Sequence, residues 1–270
     1  MLSAFFITDQ NPSLIVTGVY DPSLVVLSVL IAVFSAYFTS YLIDLAKQTR
    51  ANYQKLSGAS AAVVFSTGVW SMHFIGMLAF SLCADAIYDP KITFLSFFPV
   101  FIASYCSIAL LSNYRGNLKI LFVSSVLMGA GIGTMHYSGM AAMEIAPLLR
   151  YDPITFALSI VIAVSLSFIA LYTRFHIEKH FVNLTESTRR MLSAIILGFA
   201  VSGMHYMGMA SARFVALEPL IPLTQDSQLT FIAIAVATAT IMITSIVAVI
   251  AGILRYRVLL AEKSVDESRL

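Results

Sequence analysis

Met135-His136-Tyr137-Ser138-Gly139-Met140 lies inside a long apolar stretch, and the chain repeats this string twice in nearly the same form. The other copies are Met72-His73-Phe74-Ile75-Gly76-Met77 and Met204-His205-Tyr206-Met207-Gly208-Met209. Each reads Met-His-aromatic-x-Gly-Met, and we call it the histidine motif. Because an ionisable side chain is costly to bury in hydrocarbon, three burials in one context require a common cause. Metal binding is the cause that also uses the methionines.

The composition is that of an integral membrane protein. Of 270 residues, 59% are hydrophobic and 11% are charged, and the mean hydropathy is +0.88. A soluble domain carries about 25% charged residues. Seven apolar segments come near the ~20 residues that a membrane-spanning helix needs. They run over 22–46, 58–83, 92–112, 118–143, 153–173, 191–214 and 229–254. The sequence therefore predicts an all-α membrane protein with seven transmembrane helices.

The distribution of Lys and Arg predicts the orientation of these helices, since cytoplasmic loops carry an excess of both. One set of loops and the C-terminal tail hold thirteen of the sixteen basic residues, and the opposite loops hold Lys91, Arg150 and Arg213. We expect the N-terminus outside and the C-terminus in the cytoplasm.

The spacing of the motifs predicts an internal repeat. His73 and His136 are 63 residues apart, and His136 and His205 are 69 apart, which is two helices plus loops in each case. The chain thus divides into a periplasmic segment 1–21, a domain 22–254 made of three helix pairs and a final helix, and a charged cytoplasmic stalk 255–270. Each motif falls in the second helix of its pair. The three histidines are therefore expected at one level, about 21–27 Å from the cytoplasmic end of a ~30 Å core.

Imidazole and thioether groups together form a soft donor set, which favours copper, and Cu(I) above all. On a helix the second Met of each motif follows the His by four residues and shares its face, while the first Met points to a flank. Met143 is expected to extend the face of His136. The predicted metal ligands are His73, His136, His205, Met72, Met77, Met135, Met140, Met204, Met209 and Met143.

Other uses of the motif stay open at this point. Zinc would leave the methionines unexplained, and di-iron sites need several carboxylates. Haem would explain one or two histidines more naturally than three. A single buried His is more often a hydrogen-bonded packing residue, and Met is a common gap-filler in apolar helices. Three matching copies favour a shared ligand site.

Several polar and aromatic residues outside the three strings have expected roles. His176 and His180 are predicted to lie in a solvated basic stretch on the cytoplasmic side. Trp70 is expected to shape the pocket, and the hydroxyls of Tyr137 and Tyr206 are expected to orient the imidazoles.

The three Met-His-[Tyr/Phe] strings in alternate helices resemble the MHYT domain of bacterial membrane sensors, over residues 22 to 254. The family signature is Met-His-Tyr-Thr. The fourth position here is Ile75, Ser138 and Met207, and Phe74 replaces the tyrosine of the first copy.

The resemblance implies a sensor of the bacterial inner membrane that holds copper and detects a diatomic gas such as oxygen, carbon monoxide or nitric oxide. It also implies a cytoplasmic output, which is a diguanylate cyclase, a phosphodiesterase or a kinase. We expect no enzyme activity in this chain, since the residues after Leu254 are too few for an output domain. The expected partners are the bilayer, the gas, the output and a second copy of the chain, and no nucleic acid. The rival functions are a copper transporter or channel and a membrane oxidoreductase with copper or haem.

Overall fold

The computed structural model describes residues 5–7, 14–47, 51–82, 86–112, 114, 116–145, 147–180, 184–216 and 227–267. The described residues form eight helices. They are α1 Pro22–Lys47, α2 Ala51–Leu78, α3 Pro90–Leu95, α4 Phe97–Leu111, α5 Leu118–Ala141, α6 Pro153–His180, α7 Glu186–Ser211 and α8 Ser227–Glu267. Helices α3 and α4 together form one span, so seven helical spans are long and apolar enough to cross a membrane. This confirms the predicted fold class, while the orientation of the termini stays a prediction.

Helices α1, α3 and α6 begin in the same way, with an Asp N-cap followed by Pro at the first helical position. The side chain of Asp21 accepts a hydrogen bond from the Ser23 amide at 2.8 Å. Asp89 accepts from Lys91 at 2.7 Å, and Asp152 from Thr155 at 2.8 Å. The cap satisfies an otherwise unpaired amide, and Pro lacks the N–H that would be unpaired there.

The same three aspartates also join each helix to the motif helix of its pair. Their backbone N–H groups donate to carbonyl oxygens at the ends of the motif helices, at 2.8 to 2.9 Å. The acceptors are Ala79, Ala142 and Ser211, each six residues after a motif histidine. The three helix pairs inferred from the sequence are therefore repeated in the hydrogen bonds.

Short antiparallel strands cover the end of the bundle that carries the motifs, which we call the histidine end. The strands are β1 Ile15–Val16, β2 Val19–Tyr20, β3 Phe80–Ser81, β4 Ala86–Tyr88, β5 Met143–Ile145, β6 Leu148–Tyr151 and β7 Ala212–Val215. β2 pairs with β3, β4 with β5 and β6 with β7, so each helix pair carries one ladder, and β1 adds to β7. These strands were not predicted from the sequence.

The strands shorten three predicted helices. Helix α2 ends at Leu78 rather than 83, α5 at Ala141 rather than 143, and α7 at Ser211 rather than 214. Met143 was therefore wrongly placed on the helical face of His136. It lies in β5, where it is opposite Tyr88 of β4.

Six helical elements form a closed ring in the order α1, α2, α4, α5, α6, α7, and α7 packs against α1 again. The motif helices α2, α5 and α7 alternate with the others around this ring and also contact one another. Helix α8 packs outside the ring on α1 and α2. Of an 18-residue apolar stretch in α2, 83% is buried inside the protein. The corresponding value is 28% in each of the spans formed by α3–α4, α6 and α8. The lipid-facing surface thus falls mainly on the helices without a motif.

The capping role of Asp152 can be tested with two substitutions. The amide and hydroxyl of Thr155 hydrogen-bond to this carboxylate and lower its pKa. Asp152→Ala should lower the free energy of unfolding by about 1 kcal/mol, whereas Asp152→Asn keeps a good cap and should cost less. The measurement is circular dichroism during unfolding in mixed dodecyl maltoside and dodecyl sulfate micelles. Equal loss in both variants would contradict the capping role.

The lowered pKa of Asp152 also sets the direction of a pH effect. A carboxyl whose pKa falls on folding stabilises the protein above its unfolded pKa, and that contribution is lost as the pH drops through the folded value. The stability difference between wild type and Asp152→Ala should therefore shrink on acidification to below about pH 4.

Candidate metal centre

The three motif histidines meet on the axis of the helical ring. His73, His136 and His205 are each 0% exposed, and their ring centroids are 4.9, 5.0 and 5.2 Å apart. Their Nδ1 atoms face one another, at 3.0 Å between His73 and His205 and 3.1 Å between His136 and His73. One ligand nitrogen from each ring lies within 4.8 Å of the other two. The structure therefore brings together all three histidines that the sequence singled out.

The glycine of each motif makes room for the imidazole of another motif. A Cβ atom built on Gly139 would lie 2.4 Å from Nε2 of His73. The same test gives 2.4 Å between Gly208 and His136, and 2.5 Å between Gly76 and His205. Each ring is thus seated on the next motif helix in a closed cycle from first to second to third to first. Any larger residue at these positions would displace an imidazole.

The motif methionines lie in two buried clusters on either side of the imidazoles. The first methionines, Met72, Met135 and Met204, share a cluster with Phe65 and Met128 from earlier turns of their helices. The second methionines share another cluster with residues of the strands, namely Met77, Met140 and Met209 with Tyr151 and Phe214. All six are at most 5% exposed. The first methionines, which helical geometry placed on a flank, are therefore as buried as the second.

Met143 packs against the cluster of second methionines although it lies in β5 and not in α5. It is half-buried there. The contact comes from the ladder between β4 and β5 and not from the helical spacing used to predict it.

The two tyrosine hydroxyls have other partners than those predicted, whereas Trp70 packs against the cluster of first methionines. Tyr206 hydrogen-bonds to Ser28 at 2.9 Å and Tyr137 to Ser159 at 2.6 Å, so neither hydroxyl orients an imidazole. The indole N–H of Trp70 donates to the carbonyl of Thr93 at 3.1 Å, which ties α2 to α3.

The two histidines of the basic stretch are separate from the triad. Nδ1 of His176 is 2.9 Å from the carbonyl oxygen of Tyr172, one turn earlier on α6. His176 therefore lies on a helix and not in a loop, and the side chain of His180 lies outside the described residues.

Three neutral imidazoles alone cannot satisfy the polar atoms of this centre. A ring nitrogen either donates or accepts, so the three Nδ1 atoms cannot all be paired with one another. The three Nε2 atoms are buried and have no hydrogen-bond partner among the described residues. A cation shared by the three Nδ1 lone pairs would remove their mutual repulsion. Nitrogens bound to one ion at about 2.0 Å would be about 3.5 Å apart, so the two pairs at 3.0 and 3.1 Å would have to open by a few tenths of an ångström.

A second repeated string surrounds the centre and was not predicted from the sequence. It reads Tyr-Asp-Pro, and a Ser follows the Pro by six residues. The copies are Tyr20-Asp21-Pro22 with Ser28, Tyr88-Asp89-Pro90 with Ser96, and Tyr151-Asp152-Pro153 with Ser159. Self-comparison of the sequence at the period of the histidine motif would have found it.

The serines of this string hold the side chains of the motif helices. Ser28 and Ser159 bond to Tyr206 and Tyr137, and Ser96 accepts from the indole of Trp70 at 3.2 Å. The first copy of the motif has Phe74, which lacks a hydroxyl. The indole of Trp70 therefore hydrogen-bonds to Ser96, the serine that a tyrosine at position 74 would bind.

The tyrosines of the string cover the histidine end. Tyr20 contacts Tyr206, Tyr88 contacts Phe74 and Tyr151 contacts Tyr137, with ring centroids 5.2 to 5.9 Å apart. Burial raises the pKa of Tyr20 to about 12, and burial also raises the pKa values of Tyr88 and Tyr151. The phenols therefore stay neutral, and together with the second methionines they form an apolar cover over the imidazoles.

Comparison with known proteins places this architecture in a family. Three copies of the MHYT repeat, described as "Bacterial signalling protein N terminal repeat", match residues 67–124, 129–192 and 198–261. Each copy begins in a motif helix and continues through the following helix. The family repeats therefore begin inside the motif helices, whereas each helix pair begins with the helix that precedes a motif helix.

Three curated relatives are signalling proteins. The chain is 36% identical over 203 residues to the bifunctional diguanylate cyclase/cyclic di-GMP phosphodiesterase MucR of Pseudomonas aeruginosa, which covers 72% of this chain and 28% of MucR. It is 32% identical to the signaling protein YkoW of Bacillus subtilis, over 72% of this chain and 24% of YkoW. It is 31% identical to the cyclic di-GMP phosphodiesterase NbdA of Pseudomonas aeruginosa, over 71% of this chain and 24% of NbdA. The match thus spans about a quarter of each relative, and no solved structure matches the chain.

The packing of imidazole on glycine predicts different effects at two glycines of α2. Gly76→Ala drives a methyl group into His205 and should cost about 1–3 kcal/mol of stability, as overpacking does. Gly58→Ala is the control, because its Cβ would lie 3.6 Å from Ile108, an ordinary contact. It should leave stability equal or raise it by up to about 1 kcal/mol through helix propensity. The unfolding assay above checks both, and equal effects would refute the packing argument.

Proposed function

Because the chain belongs to the MHYT family of bacterial membrane sensors, we propose that its three motif histidines hold one copper ion and that this centre receives the signal. The observation that carries the proposal is the convergence of three buried imidazoles, with one nitrogen of each ring within 4.8 Å of the other two. Packing alone gives no reason for this convergence, since three neutral rings cannot pair all three Nδ1 atoms with one another.

The surroundings favour Cu(I) over other ions. The site offers neutral nitrogen donors between two methionine clusters, which is a soft environment. Among the described residues, the triad is the one group of three or more His, Cys, Asp and Glu side chains with metal-binding geometry. It contains no carboxylate. A monovalent cation held by neutral ligands costs less to bury than a divalent one.

A bound site agrees better with this arrangement than a transport path does. A path for copper needs donors on both sides of the membrane, whereas the three motif histidines lie at one level near one end of the bundle. The tyrosines of the strands and the second methionines also cover the imidazoles at that end. We therefore prefer a sensor over the rival transporter.

We further propose that the site receives a diatomic gas. When bound, a reduced copper ion with three nitrogen ligands supplies an open coordination position. The residues of the chain hold the imidazoles in the ring and exclude water from them. Oxygen, carbon monoxide and nitric oxide are small and apolar enough to enter such a centre.

Helix α8 offers a route from the centre to an output. Thr240 of α8 hydrogen-bonds to Ser71, the residue two before His73. The helix has 41 residues, or about 62 Å, which is twice the thickness of a bilayer core. Since relatives of this chain are named as cyclases and phosphodiesterases of cyclic di-GMP, we propose that α8 acts on such an output in the cytoplasm.

Copper content of the purified protein tests the metal. Wild-type protein loaded with Cu(I) under reducing conditions and desalted should retain about one copper per chain by elemental analysis. His136→Ala should lose it, because two remaining imidazoles leave the site incomplete. His176→Ala is the control, since this partly exposed histidine lies apart from the triad and hydrogen-bonds to the carbonyl of Tyr172 on its own helix. Wild-type protein that stays free of copper, or equal retention in both variants, would contradict the proposal.

Infrared spectroscopy tests the gas. Carbon monoxide added to the reduced, copper-loaded protein should give one carbonyl stretching band, absent without copper and absent in His136→Ala. A haem centre would instead show a Soret band in the visible spectrum. Copper-loaded protein without any carbonyl band would rule out the gas while leaving the metal site standing.

Hydrogen–deuterium exchange tests the route through α8. Copper loading should change the exchange of α8 peptides in wild-type protein and change it less in Thr240→Val, which keeps the shape of the side chain but loses its hydroxyl. Copper retention should be equal in both. An equal response of α8 in both proteins would show that the signal takes another route.

A further inference from the structure

A cavity of about 610 Å³ lies inside the helical ring at the end opposite the histidines. All six ring elements contribute to its wall, and most of the wall is apolar. Its inner end is formed by Phe65, Met128 and Leu197, which also pack against the cluster of first methionines. Met128 is ten residues from Leu118, so the cavity reaches about 15 Å along α5. Its volume is that of a site for one small ligand.

The outer end of the cavity carries the basic residues Lys55 and Arg174. Arg174 forms a salt bridge to Asp44, which also binds Arg190 at 3.3 Å, and Arg190 binds Glu186 at 2.7 Å. Lys55 has no ion-pair partner among the described residues. These three cations and two carboxylates leave this end of the cavity net positive.

Two buried donors beside the cavity have no partner among the described residues. They are Nε of Arg174 and the hydroxyl of Tyr114, and both residues line the basic end. A buried donor without a partner costs about 1–3 kcal/mol. Both atoms are covered by protein atoms, so the two side chains rotate when they offer these donors to an acidic group in the cavity.

We propose that this cavity binds one long-chain carboxylate, such as a fatty acid of the membrane. The carboxylate accepts hydrogen bonds from Lys55, Arg174 and Tyr114, since guanidinium and ammonium groups bind carboxylates strongly. The hydrocarbon chain fills the apolar part up to Phe65 and Met128. The ligand therefore ends against the methionine layer that lies below the imidazoles, and the proposal does not depend on copper.

The binding assay uses the purified full chain in dodecyl maltoside with cis-parinaric acid, a fluorescent long-chain carboxylate. Oleate should displace the probe. Methyl oleate, which lacks the charge, should need about tenfold more, because a charge-assisted hydrogen bond contributes about that factor. Equal displacement by the ester would overturn the role of the basic end. Displacement by dioleoylphosphatidylglycerol as strong as by oleate would overturn the choice of a single-chain ligand.

Paired variants locate the site. Lys55→Gln should weaken probe binding about tenfold. The control Lys119→Gln removes an exposed lysine at the same end of the bundle and should have no effect. Ala170→Phe fills the cavity and should abolish binding, whereas Ile169→Phe changes a neighbour that is 52% exposed and should not.

Two further results decide the case. His136→Ala should bind the probe as wild type does, which separates this site from the metal centre. If Ala170→Phe fails to fold, as judged by its unfolding transition, Lys55→Gln carries the test alone. Wild-type affinity in Lys55→Gln, or in a folded Ala170→Phe, would refute the proposal.

Discussion

The burial of three imidazoles against one another is the constraint on which the rest of the structure depends. A polar group in an apolar interior costs free energy unless it is paired, and three ring nitrogens of this centre have no partner among the described residues. The rings can meet only if the motif helices approach closely, which requires glycine at positions 76, 139 and 208. The other helices then fall between the motif helices, and the Asp amides fix each of them at the same level. The position of nearly every element thus follows from the contact on the axis.

The centre has three-fold cyclic symmetry, whereas the helix outside the ring breaks this symmetry. Three kinds of contact repeat around the ring. They are the glycines that pack against imidazoles, the serine hydroxyls that bond to the motif helices, and the tyrosines that cover the histidine end. In the described part of the chain, helix α8 packs mainly on α1 and α2, and its polar contact at Ser71 lies beside the first motif. The first motif is also the one with Phe74 and with Trp70 bound to Ser96. The three-fold centre is therefore joined to one helix outside the ring, because one added helix can occupy only one groove of a three-fold ring.

The helical spans were predictable because each exceeds the length of apolar sequence that a membrane requires. The strands were not, since two to four residues are too few to show a period of two. That is why α2, α5 and α7 were predicted to be longer than they are, and why Met143 was assigned to a helix. The roles of Tyr137 and Tyr206 were missed for another reason. A tyrosine hydroxyl lies far from its own backbone, and its serine partner comes from a different repeat.

The sequence by itself determined the three-fold repeat, the seven spans and the identity of the three histidines, because these follow from composition, period and the cost of polar groups in a membrane. Tertiary structure alone decided which nitrogen of each ring faces the axis, which glycine seats which imidazole, and that the methionines form two clusters rather than one face. It also decided that a cavity with Lys55, Arg174 and Tyr114 lies below the centre. These features depend on contacts between residues tens of positions apart, and spacing along one helix carries no information about them.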